Sequence, residues 1–506
     1  MIERAPSADT SWLARHFQFA ERNTDLRREI MGGITTFFVM AYIIFVNPFI
    51  LTLNGSAQPP VVPPFAGLVT ATCLAAAVVT IAMGLYTNYP FAAASGLGLN
   101  AVVAFSLIAT EGLAWQAAMG VIFLEGVLIT LLVLTGFREA VLNAVPLTLK
   151  RAISVGIGLF ILFIGLVNAG FVRVPVESIT ITGNATLTGP TPLGALAGQG
   201  VQLGTPGTPV TLGNFTRLPV AMALIGLLLM LWLMSRRVRA ALLYGILLTT
   251  VLAILIKLIL PGANVSSVPT AANLRQLQFL PLDFSTIGAG FNFTVFNSPT
   301  AAARGLGILA ALLVIFSLML SDFFDTMGTI VGVGEEAGFV DEQGRLPGAN
   351  RVLLVDSLGA AIGGLFGASS VTTFIESAAG VAEGARTGLA SVVTGLLFLL
   401  ALVLAPFAGL VPPEATAPAL IIVGFLMFAA VREIDVTDLF DGFPALMTMI
   451  MMPLTYSITN GIGAGFITYV FLRLVSGRAR EVHPLLWIVS LAFVIYFAVP
   501  LIAPLL

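Results

Sequence analysis

The chain has 506 residues, 58% of them hydrophobic and 9% charged, with a mean hydropathy of +1.02. A water-soluble domain carries roughly a quarter charged residues, so this composition cannot clothe a soluble surface, and the expected solvent is the bilayer. A net charge of −2, with no basic or acidic block, gives nucleic acid no foothold. Cys73, the single cysteine, rules out an intrachain disulfide and a cysteine metal site, and reads as a small core residue. The first thirty or so residues are polar and charged, which does not fit a cleaved signal peptide.

A spanning helix needs about 20 apolar residues. Such runs begin near Ile30, Phe65, Phe91, Leu113, Arg151, Leu218, Ala240, Gly305, Val352, Thr372, Ala390, Ala415, Phe443 and Gly461. A further apolar segment, from Pro484 to Leu506, is left open as a crossing or an in-plane helix. Positive charge collects in cytoplasmic loops. Here it falls before the first span (Arg27, Arg28), after the fourth (Lys150, Arg151) and after the sixth (Arg236, Arg237, Arg239), which places the N-terminus inside. Two crossings hinged at Thr459-Asn460-Gly461 return Arg473, Arg478 and Arg480 to the cytoplasm. The loops 172–217 and 261–304 then lie outside, and they carry the sequons at Asn184, Asn214, Asn264 and Asn292.

Two segments interrupt this helical pattern: Tyr89 to Asn100 in the third span and Ser369 to Glu376 in the tenth. Irregular backbone at membrane depth is tolerated only where protein or a cavity covers it. Broken segments in corresponding spans of two halves mark an inverted-repeat transporter, with its site between them.

An ionised group at mid-bilayer is costly and needs a partner or a wet cavity. The acids inside apolar runs are Glu125, Asp322, Asp325, Asp356 and Glu376. Asp322 and Asp325 are three apart on a helix, with Thr329 one turn beyond Asp325, and Glu376 adjoins Thr372, Thr373 and Ser377. Glu125 reads equally as a helix–helix hydrogen-bonding residue or a functional one. Asp356, close after Arg351, reads as a structural pair or a helix-start residue, and Asp322 is open. Asp325 and Glu376 are the functional candidates. His16 and His483 lie outside the spans. The Gly332–Gly338 stretch follows a helix and does not fit a phosphate loop.

With those residues in view, the chain resembles the nucleobase/ascorbate transporter family, in its AzgA-like branch of adenine, guanine and hypoxanthine permeases. The resemblance rests on Ala41–Pro48, Gly96-Leu97-Gly98-Leu99-Asn100, Phe323–Thr329 and Thr372–Val381, within a match from Asp25 to about Arg473. It implies fourteen spans in a seven-plus-seven inverted repeat, with short antiparallel strands in spans three and ten. It also implies a core domain from residues 30–135 and 305–410 and a gate domain from 136–260 and 411–475. These are flanked by a cytoplasmic segment (1–29), an outside loop (261–304) and the apolar tail (476–506).

The family's acidic residue in span eight and its partner group in span ten match Asp325 and Glu376. Gly96, Leu97, Phe374, Ile375 and Thr329 would complete the cradle, with Ser95, Asn100, Thr373 and Asp322 as secondary candidates. A buried carboxylate offers acceptors to a base and can also carry a proton. Glu376 and Asp325 are therefore the expected coupling groups. The expected activity is proton-coupled purine uptake at the cell membrane by a homodimer embedded in lipid, with no cofactor. An anion exchanger or channel on the same architecture would want cations at its centre instead. An intramembrane enzyme would want a catalytic arrangement that the spans do not show.

Overall fold

The computed structural model describes residues 11–53, 57, 59–135, 144–173, 179–181, 201–203, 210–260, 282–297, 307–340 and 346–502. Ten helices among them are long and apolar enough to cross a membrane, and shorter apolar helices fill the remaining places. After a short helix α1 (Trp12–His16), the first span is α2 (Leu26–Met40) followed by α3 (Ile43–Leu51). Asp25 caps α2 by accepting the Arg28 N–H at 2.9 Å. The span is interrupted at Ala41-Tyr42. One turn further on, Pro48 removes the N–H that would have bonded the Ile44 carbonyl.

The second span is α4 (Phe65–Thr87). The third begins as strand β1 (Ala93–Ser95) and continues as α5 (Leu97–Ala101) into a wide π-helical run, Val102–Thr110. Then come α6 (Trp115–Thr135), α7 (Leu147–Asn168), α8 (Leu218–Ser235) and α9 (Ala241–Ile259). Between α7 and α8 lie two small antiparallel ladders that the sequence had offered only as loop. Strand β2 (Val172–Arg173) pairs with β5 (Thr211–Leu212), and β3 (Ile179–Ile181) pairs with β4 (Val201–Leu203).

The second half repeats the order: α10 (Gly307–Ala337), α11 (Ala349–Phe366), strand β6 (Val371–Thr373) leading to α12 (Ser377–Ala382), and α13 (Gly388–Ala401) with a 3-10 extension. It closes with α14 (Pro413–Phe428), α15 (Leu439–Thr455), α16 (Ile458–Val475) and α17 (Pro484–Ile502). The tenth span therefore starts as a strand, as the third does, matching the short strands expected in those two broken spans. Helix α17, whose crossing was left open, packs on α16 and α10, with Phe493 against Phe466. Most of the two long loops, including Asn184 and Asn264, lies outside the described residues. Asn214 and Asn292 each close a turn by accepting the N–H of the threonine two residues on, at 3.0 Å in both cases.

The packing follows the repeat. The second span, α4, lies along the eleventh, α13, and its counterpart α11 lies along α6. Helix α15 lies on α7 and, correspondingly, α8 on α14, while α7 and α14 pack on each other. Exchanging the two halves maps the first four of these helices onto one another in pairs, likewise α15–α7 onto α8–α14, and α7–α14 onto itself, which is the signature of an inverted repeat. Lipid offers no hydrophobic drive between helices, so the contacts depend on small residues that let backbones touch. A Cβ on Gly84 would run into the Gly388 carbonyl, and one on Gly388 into the Gly84 carbonyl. A Cβ on Gly126 would meet the Ala361 backbone. At the N-terminal end of α2, the buried Glu29 ties the two halves together. It accepts from Thr24 Oγ1 and the Arg386 N–H, both at 2.8 Å, and from the Thr387 N–H at 3.2 Å.

Candidate functional site

The two broken spans meet in the middle of the molecule. Strand β1 runs antiparallel to β6, with Ala93 opposite Thr373, Ala94 opposite Thr372 and Ser95 opposite Val371. The Gly96 N–H donates to the Ser370 carbonyl and the Phe374 N–H to the Ala92 carbonyl, each at 2.9 Å, so the ladder extends past both strand ends. Both N–H groups are therefore consumed by the pairing, although Gly96 and Phe374 were expected in the cradle. The first-turn N–H groups of α12 are spent as well, Ser377, Ala378 and Ala379 donating to the Phe374, Ile375 and Glu376 carbonyls at 3.1, 3.0 and 3.0 Å. Leu97 opens α5, and Ile375 stands just ahead of α12.

Side chains fix the crossing in place. Asn47 Nδ2 donates to Thr72 Oγ1 at 2.8 Å, to the Ala368 carbonyl at 3.1 Å and to Ser95 Oγ at 3.2 Å. Ser95 Oγ donates to the same carbonyl at 2.7 Å. Thr80 Oγ1 both accepts from the Ala93 N–H and donates to the Ala93 carbonyl, at 2.9 Å. Asp356 holds the other strand: its Oδ1 accepts from the Thr373 N–H at 2.8 Å and Oγ1 at 2.7 Å, and its Oδ2 accepts from Thr326 Oγ1 at 2.7 Å. Asp356 thus sits within α11 and clamps β6. It is neither a partner of Arg351 nor a helix-start residue. Ser95 and Thr373, secondary candidates for the ligand, are fully engaged in this scaffold and buried.

Two acids flank the crossing. Glu376 precedes α12 and accepts a hydrogen bond from the Tyr42 hydroxyl at 2.7 Å. Tyr42 stands at the break in the first span and is buried. Asp325, on α10, lies close enough to act electrostatically on both Tyr42 and Glu376. Asp325 and Glu376 are half-buried, whereas Gly328 is exposed and Ile375 is 52% exposed. Each acid thus has an exposed residue close by in the chain, Gly328 three residues after Asp325 and Ile375 next to Glu376. Thr329 lies one turn beyond Asp325 and is buried, as are Gly96, Leu97, Phe374 and Asn100. The sequence reading passed over Tyr42 as a site residue, although its neighbours Asn47-Pro48 announced the break that delivers its hydroxyl.

A permease-family model matches residues 27–197 and 191–464. The chain belongs to the nucleobase/ascorbate transporter family. Among the relatives of this transporter, a guanine/hypoxanthine permease of Bacillus subtilis, PbuG, is 40% identical over 95% of this chain and 98% of its own length. An adenine permease of Escherichia coli, AdeP, is 37% identical over 96% of this chain and 95% of its own. The transmembrane domain of a cyanobacterial bicarbonate transporter, BicA, shares the fold of this nucleobase/ascorbate transporter family member at 17% identity. Its TM-score is 0.55, over 87% of this chain and 97% of that one.

Proposed function

We propose that this membrane transporter imports purine nucleobases together with protons. The base would lie against the β1–β6 crossing between Asp325 and Glu376, with Leu97 and Ile375 presenting backbone beside it. The pair of half-buried acids carries the reading. Carboxylates accept from the ring N–H and amino groups of a base and repel an anion. Relatives named for adenine, guanine and hypoxanthine support the same class. An anion exchanger, the alternative that the BicA-like fold brings to mind, would place cations there.

In this reading, residues 30–135 and 305–410 form a core that moves against a gate of 136–260 and 411–475. The N-terminus is cytoplasmic, the cell membrane is the site of action and two copies associate. Tyr42 orients Glu376 toward the base. The experiment is uptake of labelled adenine, guanine, hypoxanthine and uracil into proteoliposomes, with and without an inward proton gradient. Wild type is compared with Asp325→Asn and Glu376→Gln. Purine accumulation driven by the gradient and lost in either variant supports the reading. No uptake of any base, or two variants that behave as wild type, defeats it.

A further inference from the structure

Behind the crossing, on the side of α6, three more acids come together. Glu125 on α6 and Asp322 on α10 are 0% and 1% exposed, and none of their four carboxylate oxygens has a hydrogen-bond partner among the described residues. Helices α6 and α11 touch at Gly126 and Ala361, and Thr130 Oγ1 donates to Ser357 Oγ at 3.1 Å, one residue from Asp356. Glu125 faces Asp356, and Asp322 faces Glu125, Asp356 and Asp325 within electrostatic reach.

Among the described residues no ion pair joins a cation to any of the three; Arg351, on α11 with Asp356, is exposed. The other segments on α6, Val102–Thr110, Ala289–Phe291 and Thr294–Asn297, carry no charged side chain. Of the helices against α10, α7 brings Lys150, 5.8 Å from the Phe324 ring centroid, and Arg151, which is paired with Glu433. Helix α16 brings Arg473, paired with Asp441 and Glu481, and Glu376 precedes α12.

Hydrogen-bond directions distinguish the three acids. Asp356 receives three donors, the arrangement an ionised carboxylate needs, whereas Glu125 and Asp322 receive none. A buried carboxylate without donors is tolerated only when it is neutral. Thr326 spends its single hydroxyl hydrogen on Asp356, so in the 2.7 Å contact between Thr326 and Thr372 it is Thr372 that donates. Thr372 also adjoins Asp322, with no hydrogen bond between them in this conformation. Once a side-chain rotation brings Asp322 onto Thr372 Oγ1, a proton leaving Asp322 passes to it while the Thr372 hydrogen moves to Thr326 and that of Thr326 moves to Asp356. Each hydroxyl takes one proton and gives one. Among the described residues, no three acid, His or Cys side chains are arranged to hold a metal ion.

We propose that Glu125, Asp322 and Asp356 form a proton site separate from the acids beside the base, wired through Thr326 and Thr372 to strand β6. This rests on the proton-coupled reading above and adds where the coupled proton resides. Strand β6 carries both the end of the wire and the approach to Glu376, so moving the proton alters the strand that supports the base.

The test uses Glu125→Gln, which preserves size and removes the titrating group, with Glu125→Asp as the conservative rescue. Proteoliposomes are assayed for purine:purine exchange without gradients and for accumulation driven by a proton or a sodium gradient. The expected result is that Glu125→Gln exchanges as wild type does while its proton-driven accumulation falls to the no-gradient level, and Glu125→Asp recovers it in part. Thr326→Val, which leaves every acid in place, is expected to give the same split, so the test does not depend on one variant folding. Calorimetry of purine binding in buffers of different ionisation enthalpy is expected to count a proton taken up by wild type and lost in Glu125→Gln. Proton-driven accumulation by Glu125→Gln at the wild-type level overturns the proposal, as does wild-type accumulation that follows sodium. Wild type that transports no purine defeats the proposed function itself, a failure visible before any variant is made.

Discussion

Asp356 makes the clamp on β6 measurable. Asp356→Ala removes the three bonds it accepts, from the Thr373 N–H, the Thr373 hydroxyl and the Thr326 hydroxyl. Bonds to a charged partner contribute about 1.5–3 kcal/mol each, and a buried donor left without a partner costs about 1–3 kcal/mol. A simple sum overstates the loss, because the Thr326 and Thr372 hydroxyls already touch at 2.7 Å and can pair without Asp356. The Thr373 N–H has no such recourse. The expected destabilisation is therefore about 3–5 kcal/mol, the range for breaking a buried charged network. Asp356→Asn keeps Oδ1 as acceptor for both Thr373 donors and requires only that the Thr326 and Thr372 hydroxyls turn round, for about 1 kcal/mol. The assay is unfolding of the purified protein in detergent, with purine binding followed in parallel. An Ala variant as stable as wild type, or an Asn variant as damaged as Ala, would refute the clamp.

Tyr42→Phe deletes the 2.7 Å bond to Glu376 and is expected to weaken purine binding by about 10- to 100-fold, readable by equilibrium binding, with folding unchanged. Gly84→Val places a branched side chain against the Gly388 carbonyl; it is expected to abolish a monodisperse peak in size-exclusion chromatography, whereas Gly112→Ala, facing open space at a positive φ, costs only about 1 kcal/mol of backbone strain. Arg473, 5% exposed, pairs with Asp441 at 2.6 Å and Glu481 at 3.2 Å. Arg473→Ala leaves Asp441 and Glu481 without their partner, but both reach solvent, so the expected cost is about 1–3 kcal/mol in an unfolding titration, while Arg473→Lys restores part of that.

Length and hydropathy alone located the spans, because a bilayer forces every crossing to announce itself as an apolar run of fixed length. The broken third and tenth spans were equally visible, through the extended-prone stretches at Tyr89–Asn100 and Ser369–Glu376. What the sequence could not supply was the pairing across them. Nothing in Thr373 or Asp356 taken alone says that one clamps the other, since the two lie on different elements and meet only when the chain turns after Phe366 and lays β6 back against α11. For the same reason Arg351, near in sequence, was the wrong partner for Asp356. Tyr42 was hidden because a tyrosine in an apolar run reads as an interfacial anchor until its hydroxyl is seen to reach across the molecule.

The strand pairing at the centre also bears on how the chain is made. Ala93 and its partner Thr373 are about 280 residues apart, so at roughly 5–20 residues per second the first strand emerges well before the second exists. In that interval β1 has open hydrogen-bonding groups, and the glycine faces of α4 and α6 have no opposing helix. In a nascent chain halted after α9, α8 and α9 already lie on each other, but α4, α6 and α7 lack the second-half helices they pack on. The first half must therefore be sheltered in the membrane, by the insertion machinery or by its own loose association, until the second arrives to interleave with it.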